Sequence, residues 1–444
     1  MKADERRVVI TGIGVITPLG LTGEELFENL LSGKCAIGPI TAFDAAEYPS
    51  RIAGEIAELD ATAGIRKDQS RYYRKNLKVM SRDIQLGIAA VNAAILDTGL
   101  PLGDAKAKEP VLPTIEHAHF GMTLGAGFIP TELDDLAATV KASTCDGELS
   151  LKKWGTDGIP LMAPLWLLKY LPNMPACHAS VMWDAQGPSN TITCSDASGL
   201  LAIGEATRII SRGQSDMSLA GGTESRVNPI TLVRQCLLER LSTRNDTPSE
   251  ACRPFDVDHN GQVLADGSGM IVLEAIDHAE GRGANIRGEI IGFGSSMHTN
   301  GINACDTDGK AVAYAIEAAL DDAGIAAGDL GGVVAHGTGV PQQDVSEARG
   351  MRDALGDYAD RMPITSFKGA LGNMGAGCGG VDAAMAAATL AAGRLPATVN
   401  YSESNGECPI RLVSDGPAEV VGDAILVVSH AIGGQSAAVV VKRF

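Results

Sequence analysis

Gly187-Pro188-Ser189-Asn190-Thr191-Ile192-Thr193-Cys194-Ser195-Asp196-Ala197-Ser198-Gly199 is the stretch on which the fold turns. A β-branched run, Thr191 to Thr193, enters a tight corner of Ala, Ser and Gly. A segment rich in Ala, Ile and Leu follows. The pattern predicts a strand, an elbow and a helix over 200–213. Enzymes place a Cys or Ser nucleophile at such a corner. Here the corner residue is an acid, Asp196.

The flanking sequence repeats the alternation of strand and helix. Residues 7–16 read as a buried strand ending in a glycine turn, and 22–32 as a helix capped by Thr22. Gly12-x-Gly14 lacks the third glycine of a dinucleotide loop. Residues 80–98 place Met80, Ile84, Ile88, Val91 and Ile95 near one helical stripe. Phe120 to Phe128 reads as a strand. Residues 130–180, broken by Pro160, Pro164, Pro172 and Pro175, read as a cap over a central sheet. Its Trp154, Leu165, Trp166, Leu167 and Leu168 are either walls of an apolar tunnel or core.

After a strand at 217–220, Glu289-Ile-Ile-Gly-Phe-Gly repeats the opening Val9-Ile-Thr-Gly-Ile-Gly. A helix over 310–323 and strands over 331–335, 424–429 and 436–442 complete the second set. The expectation is an α/β fold with mostly parallel strands and two duplicated halves, 1–286 and 287–444.

Composition bounds the function. The 444 residues are 45% hydrophobic and 20% charged, a globular balance, and the length suits two halves. Few aromatics, 4%, and 53 glycines favour close-packed helices on a sheet. A net charge of −18 argues against nucleic acid or an anionic membrane surface as partner. Against that background Arg66, Lys67, Arg71, Arg74, Lys75 and Lys78 form a basic run, either a solvated helix face or a landing patch for an acidic partner. The nine cysteines are scattered, with no metal-ligand spacing, and read as reduced, mostly buried thiols of a cytoplasmic protein. No metal or cofactor is expected. MKADERRVVI lacks the apolar core of a leader, and no run of 18 apolar residues spans a membrane.

Three further segments accompany the elbow: Ala335-His336-Gly337-Thr338-Gly339, Thr365-Ser366-Phe367-Lys368-Gly369-Ala370-Leu371-Gly372-Asn373 and His430-Ala431-Ile432-Gly433-Gly434. With Arg6-Arg7-Val8-Val9-Ile10-Thr11-Gly12, Asp216-Met-Ser-Leu-Ala-Gly-Gly-Thr-Glu and Arg253-Pro-Phe-Asp, they resemble the β-ketoacyl-acyl carrier protein synthases, most closely the type II elongating enzymes. The resemblance covers nearly the whole chain. It implies a thiolase-type fold, a five-layered α-β-α-β-α sandwich of two similar halves, usually dimeric.

It also implies roles. In the family an active-site Cys takes an acyl chain from a carrier protein, two backbone N–H groups bind the oxyanion, and two histidines assist decarboxylation of the malonyl unit. By position Asp196 stands at the nucleophile, His336 at the first histidine and Lys368 at the family lysine. Asp344 and Glu347 match supporting acids. Asn373 replaces the second histidine, and Ile432, before Gly433, replaces the gating Phe. The N–H groups of Asp196 and Ile432 would be the oxyanion donors. Cys194, two residues before Asp196, reads as a buried small hydrophobe more readily than as a substitute nucleophile.

Two functions stay open. One is a non-condensing subunit, similar in its missing Cys to chain-length factors, paired with an active ketosynthase. The other is an acyltransferase, a malonyl-carrier decarboxylase or an atypical 3-oxoacyl synthase. A stand-alone acyl or carrier-protein binding module has only the basic run in its support. The partners expected are an acyl carrier protein, on the basic run, and a homodimer or heterodimer mate.

Overall fold

The computed structural model describes residues 5–301 and 303–444. Residues 1–4, part of the stretch read above for a leader, lie outside them. Five strands of the first half are β1 (Val8–Ile16), β2 (Phe120–Ala126), β3 (Ser189–Ile192), β4 (Met217–Ser225) and β5 (Leu264–Ala275). The second half contributes β6 (Gly288–Met297), β7 (Leu330–Val334), β8 (Ile364–Thr365), β9 (Ala424–His430) and β10 (Gln435–Lys442). Their order in the sheet is β8-β7-β9-β10-β6-β1-β5-β4-β2-β3. Each half therefore runs third, second, fourth, fifth, first. The two first strands pair antiparallel, Val8 opposite Ile290, and join the halves edge to edge.

The expectation of mostly parallel strands is corrected. β2 is parallel to β3 and β4, and β7 to β8 and β9. β5 runs antiparallel to both β1 and β4, and β10 antiparallel to both β6 and β9. For β10 the reason is local: the short Ala431–Gly434 turn joins it to β9 and forces a hairpin.

Strand alternation divides the core into layers. Ile425, Val427, Val439 and Val441 face one way, into a cluster with Leu200, Ile203 and Ile210 of α2 (Ser198–Ser211) and Val381 and Leu390 of α5 (Cys378–Ala392). Leu426, Val428, Ala438 and Val440 face the other way, against α3 (Lys310–Ala323) and α4 (Pro341–Leu355). On the first half, α1 (Arg82–Asp97) covers Met122, Leu219 and Val272. The result is the sandwich anticipated, with α2 and α5 as its middle layer. Glycine lets those two helices touch. A Cβ on Gly199 would lie 2.6 Å from the Ala376 carbonyl oxygen, and one on Gly379 2.6 Å from the Leu200 nitrogen. No described helix is long and apolar enough to cross a membrane.

Residues 130–180 divide in two. Helix Met174–Trp183 packs its Met174, Ala179 and Trp183 into the outer core beside α1. The earlier part stands outward: Leu165 and Leu167 are exposed and Trp154 and Trp166 half-buried. These four are thus neither core nor an enclosed tunnel within one chain, whereas Leu168 packs against the outer core. The cysteines are also less buried than expected. Only Cys252, Cys378 and Cys408 are buried, Cys177 is exposed, and the rest are half-buried thiols.

Candidate functional site

Two corners meet at the middle layer. The first is the Ser195–Ala197 turn between β3 and α2, and the second the Gly375–Gly377 turn before α5. Ser195 holds a left-handed backbone, φ 51°, which a side chain tolerates only under constraint. That conformation swings Asp196 off the strand and into the interior. From β9, the Ser429 hydroxyl donates to the Asp196 carbonyl at 2.9 Å and fixes the corner.

Asp196 is buried, and its carboxylate is engaged. Arg226 donates to both oxygens, Nη1 at 3.2 Å and Nη2 at 3.4 Å. The Ser195 hydroxyl adds a 2.9 Å bond. Burial alone would raise the carboxyl pKa. The Arg226 guanidinium outweighs it and holds the group well below the usual carboxylate range. Arg226 in turn gives Nε to Glu224 at 3.2 Å, and the second Glu224 oxygen accepts the Ala376 N–H at 2.9 Å. The pair of acids and one guanidinium thus clamps both corners. Gly375, φ 57°, makes room: a Cβ there would sit 1.9 Å from the Glu224 oxygen.

On sequence grounds Asp196, a carboxylate at a helix start, could simply cap the helix and pair with His336 or Lys368. Its main partner is Arg226, which that reading missed, and α2 has no side-chain cap. The only signal for Arg226 was a charge directly after the buried Gly221-Gly222-Thr223-Glu224-Ser225 run. His336 Nε2 is 4.0 Å from Asp196. Lys368 instead pairs with Asp382 at 3.4 Å, which keeps its buried ammonium charged.

His336 is fully buried, and neither ring nitrogen has a hydrogen-bond partner among the described residues. Burial, then the positive charge of Lys368, drives its pKa well below the ordinary histidine value, so the ring is neutral. Its ring packs edge-on to His430 at 4.9 Å, a second histidine that the sequence reading quoted without assigning a role. Glu347 accepts the N–H groups of His336 and Gly337 at 2.6 and 2.8 Å, and approaches His430 at 3.3 Å. Asp344 binds the N–H groups of Phe255 and Thr338 and the His259 ring. Both acids therefore hold loops behind the site.

Asn373 lies in contact range of Asp196 and contributes to its lowered pKa. Its Nδ2 donates to Gln262 at 2.7 Å, and its Oδ1 accepts from Gly375 N–H at 2.9 Å and the Cys378 thiol at 3.4 Å. Ile432 is half-buried in the β9–β10 turn, beside Gly433. With His298, Cys305 and His430 it lines a cavity of about 10 Å³, room for one water. Cys194 is half-buried rather than buried, and burial raises its thiol pKa, the opposite of activation. β3 ends at Ile192 and Ser195 is left-handed, so strand alternation does not carry Cys194 and Asp196 to one face.

Residues 5–279 match the family model for the beta-ketoacyl synthase N-terminal domain, and residues 287–402 that for its C-terminal domain. The 3-oxoacyl-[acyl-carrier-protein] synthase 2 of Synechocystis sp. is 31% identical over 441 residues, covering 99% of each chain. That of Vibrio cholerae is 32% identical, again over 99% of each. A beta-ketoacyl synthase structure from Burkholderia phymatum has TM-score 0.85 at 26% identity, over 99% of this chain and 100% of that one. The ishigamide ketosynthase/chain length factor shares the fold, with TM-score 0.83 at 24% identity over 99% of this chain and 100% of that one. With both family models matched in order along one chain, this protein belongs to the beta-ketoacyl synthase family.

Proposed function

We propose that this chain is a non-condensing partner of an active β-ketoacyl synthase, similar in role to a chain-length factor, in fatty-acid or polyketide assembly. One observation supports it above the rest: the corner that would hold a nucleophile holds a carboxylate already committed to a buried guanidinium. An ion-paired carboxylate is a weak nucleophile, and its acyl product would be a labile anhydride. Asn373, at the place of the second histidine, has its amide engaged with Gln262 and cannot take up a proton.

A heterodimer follows from this reading. Edge strand β3 leaves Ser189 and Asn190 exposed, an open hydrogen-bonding rim. Leu151, Ile159, Leu161, Leu165 and Leu167 add exposed apolar surface of the kind partners cover. The carrier protein would approach helix Lys67–Asn76, where Lys67, Arg71, Arg74, Lys75 and the following Lys78 are exposed. Arg66 is already tied to Asp68 at 2.6 Å and is the least available of the run.

The neutral, unpartnered His336 favours a second reading, decarboxylation of a malonyl thioester. A ring N–H could donate to the thioester carbonyl as enolate charge develops. Radiolabelled acyl- and malonyl-carrier protein separate the two. The protein alone should release no CO2 and form no acyl adduct, while addition of a partner ketosynthase should yield product. CO2 from the protein alone would overturn the first reading in favour of the second.

A further inference from the structure

Beside the site stand two guanidinia that no carboxylate among the described residues pairs. Asp196 and Glu224 both bind Arg226. Two more arginines approach from helix Pro229–Leu237 and the turn after it. Arg234 is half-buried, its guanidinium carbon 5.1 Å from the ring centroid of Phe128. Arg240 is 8% exposed. Among the described residues neither has an ion pair or a side-chain hydrogen bond.

Hydrogen bonds tie this helix end to the site. Arg240 N–H donates to the Gln235 carbonyl at 3.2 Å, and Gln262 N–H to the Arg240 carbonyl at 2.8 Å. The Gln262 side chain then links Gln235, at 3.3 Å, to Asn373, at 2.7 Å. The Arg240 backbone thus sits one amide relay away from the Asp196 corner, and Arg234 is the chain neighbour of Gln235 in that relay. Burial first, and then repulsion by neighbouring guanidinia, lower the pKa of both, while Asp196 opposes that shift. Lys368 offers no relief, since Asp382 already matches it.

Arg226 takes both Asp196 and Glu224, which leaves Arg234 and Arg240 without a carboxylate of their own among the described residues. An unpaired buried charge is costly, and the planar guanidinium fork fits a carboxylate or phosphate. Phe128, 57% exposed, supplies an apolar wall beside it for the organic part of such a ligand. We propose that Arg234 and Arg240 form an oxyanion site beside the Asp196–Arg226 pair, for the carboxylate or phosphate end of a small ligand. The site stands whether or not the protein condenses acyl chains.

Calorimetric titration of the full chain tests it, with malonate, inorganic phosphate and neutral dimethyl malonate at constant ionic strength. Saturable binding of malonate or phosphate, but not the diester, is expected, and the stronger of the two identifies the oxyanion. Arg234→Gln and Arg240→Gln should each weaken binding about tenfold or more. Half-exposed Arg234 is the variant that decides if Arg240→Gln does not fold. Absence of saturable binding by either anion, equal binding of the diester, or binding unchanged in Arg234→Gln would overturn the proposal.

Discussion

Arg226→Ala removes a guanidinium that is 2% exposed and leaves Asp196 and Glu224 as buried carboxylates with no counter-charge between them. Removing one member of a buried ion pair costs about 3–5 kcal/mol, because the remaining charge loses its compensation. Asp196→Asn should be milder, about 1–3 kcal/mol, because Arg226 keeps Glu224 at 3.2 Å. The double variant should cost less than the sum, with a coupling of about 1–3 kcal/mol. Urea midpoints followed by far-UV circular dichroism read these differences.

The pH dependence has a definite sign. In the native chain Arg226 overcomes burial and holds the Asp196 carboxyl well below its ordinary value. A depressed carboxyl contributes stability that is present above the unfolded pKa, about 3.9, and is lost only as pH falls toward the folded value. Asp196 therefore adds no slope between about pH 8 and pH 5. Without Arg226, burial dominates and the folded pKa rises above the unfolded one. The variant is then penalised at high pH and recovers on acidification, at about 1.4 kcal/mol per unit of rise. A cost below about 1 kcal/mol, additive single effects, or no recovery from pH 8 to pH 5 relative to wild type would refute the clamp.

Three further outcomes are expected. Asp196→Cys/Asn373→His should stay unacylated by an acyl thioester until Arg226→Ala is added, because the guanidinium occupies the space 3.2 Å from the corner side chain; intact-mass spectra that show an adduct without the third change would refute this. Iodoacetamide near neutral pH should label exposed Cys177 first and spare Cys252 and Cys378, whose thiols burial pushes up to about 12; peptide mapping that finds either among the early adducts would contradict the packing. Lys67→Glu/Arg71→Glu/Lys75→Glu should weaken carrier-protein binding about tenfold or more at low salt and less at high salt, and an unchanged Kd would remove that helix as the docking surface.

The fold was legible because its evidence is local and repeated. The strand openings at Val9 and Glu289 share a pattern, and α1 and α3 carry stripes of apolar residues that survive as buried faces in the outer layers. Strand direction was not legible, since a continuous apolar run such as Ala424–Val428 reads alike in parallel and antiparallel ladders. The outward-standing leucines near Leu165 were not legible either. Hydrophobicity alone does not separate a core residue from one that waits for a partner surface.

For the site, three of the motif positions lie close together, and composition hid their partners. Asp196, His336 and Asn373 do converge, because each sits at a corner whose place the sheet order dictates. Arg226 escaped because an ion pair across thirty residues has no periodic signature. Three-dimensional placement also changes what the acid is. At a helix start, a carboxylate could be a cap exchanged freely with solvent. Bound by Arg226, with Glu224 bridging to the second corner, it is one link of a clamp that spans both halves of the duplicated fold. A nucleophile must be free to move onto a carbonyl. On the proposed reading this carboxylate can move only by giving up its ion pair with Arg226, which Glu224 alone would then balance, so the pair holds the corner against the chemistry its geometry would permit.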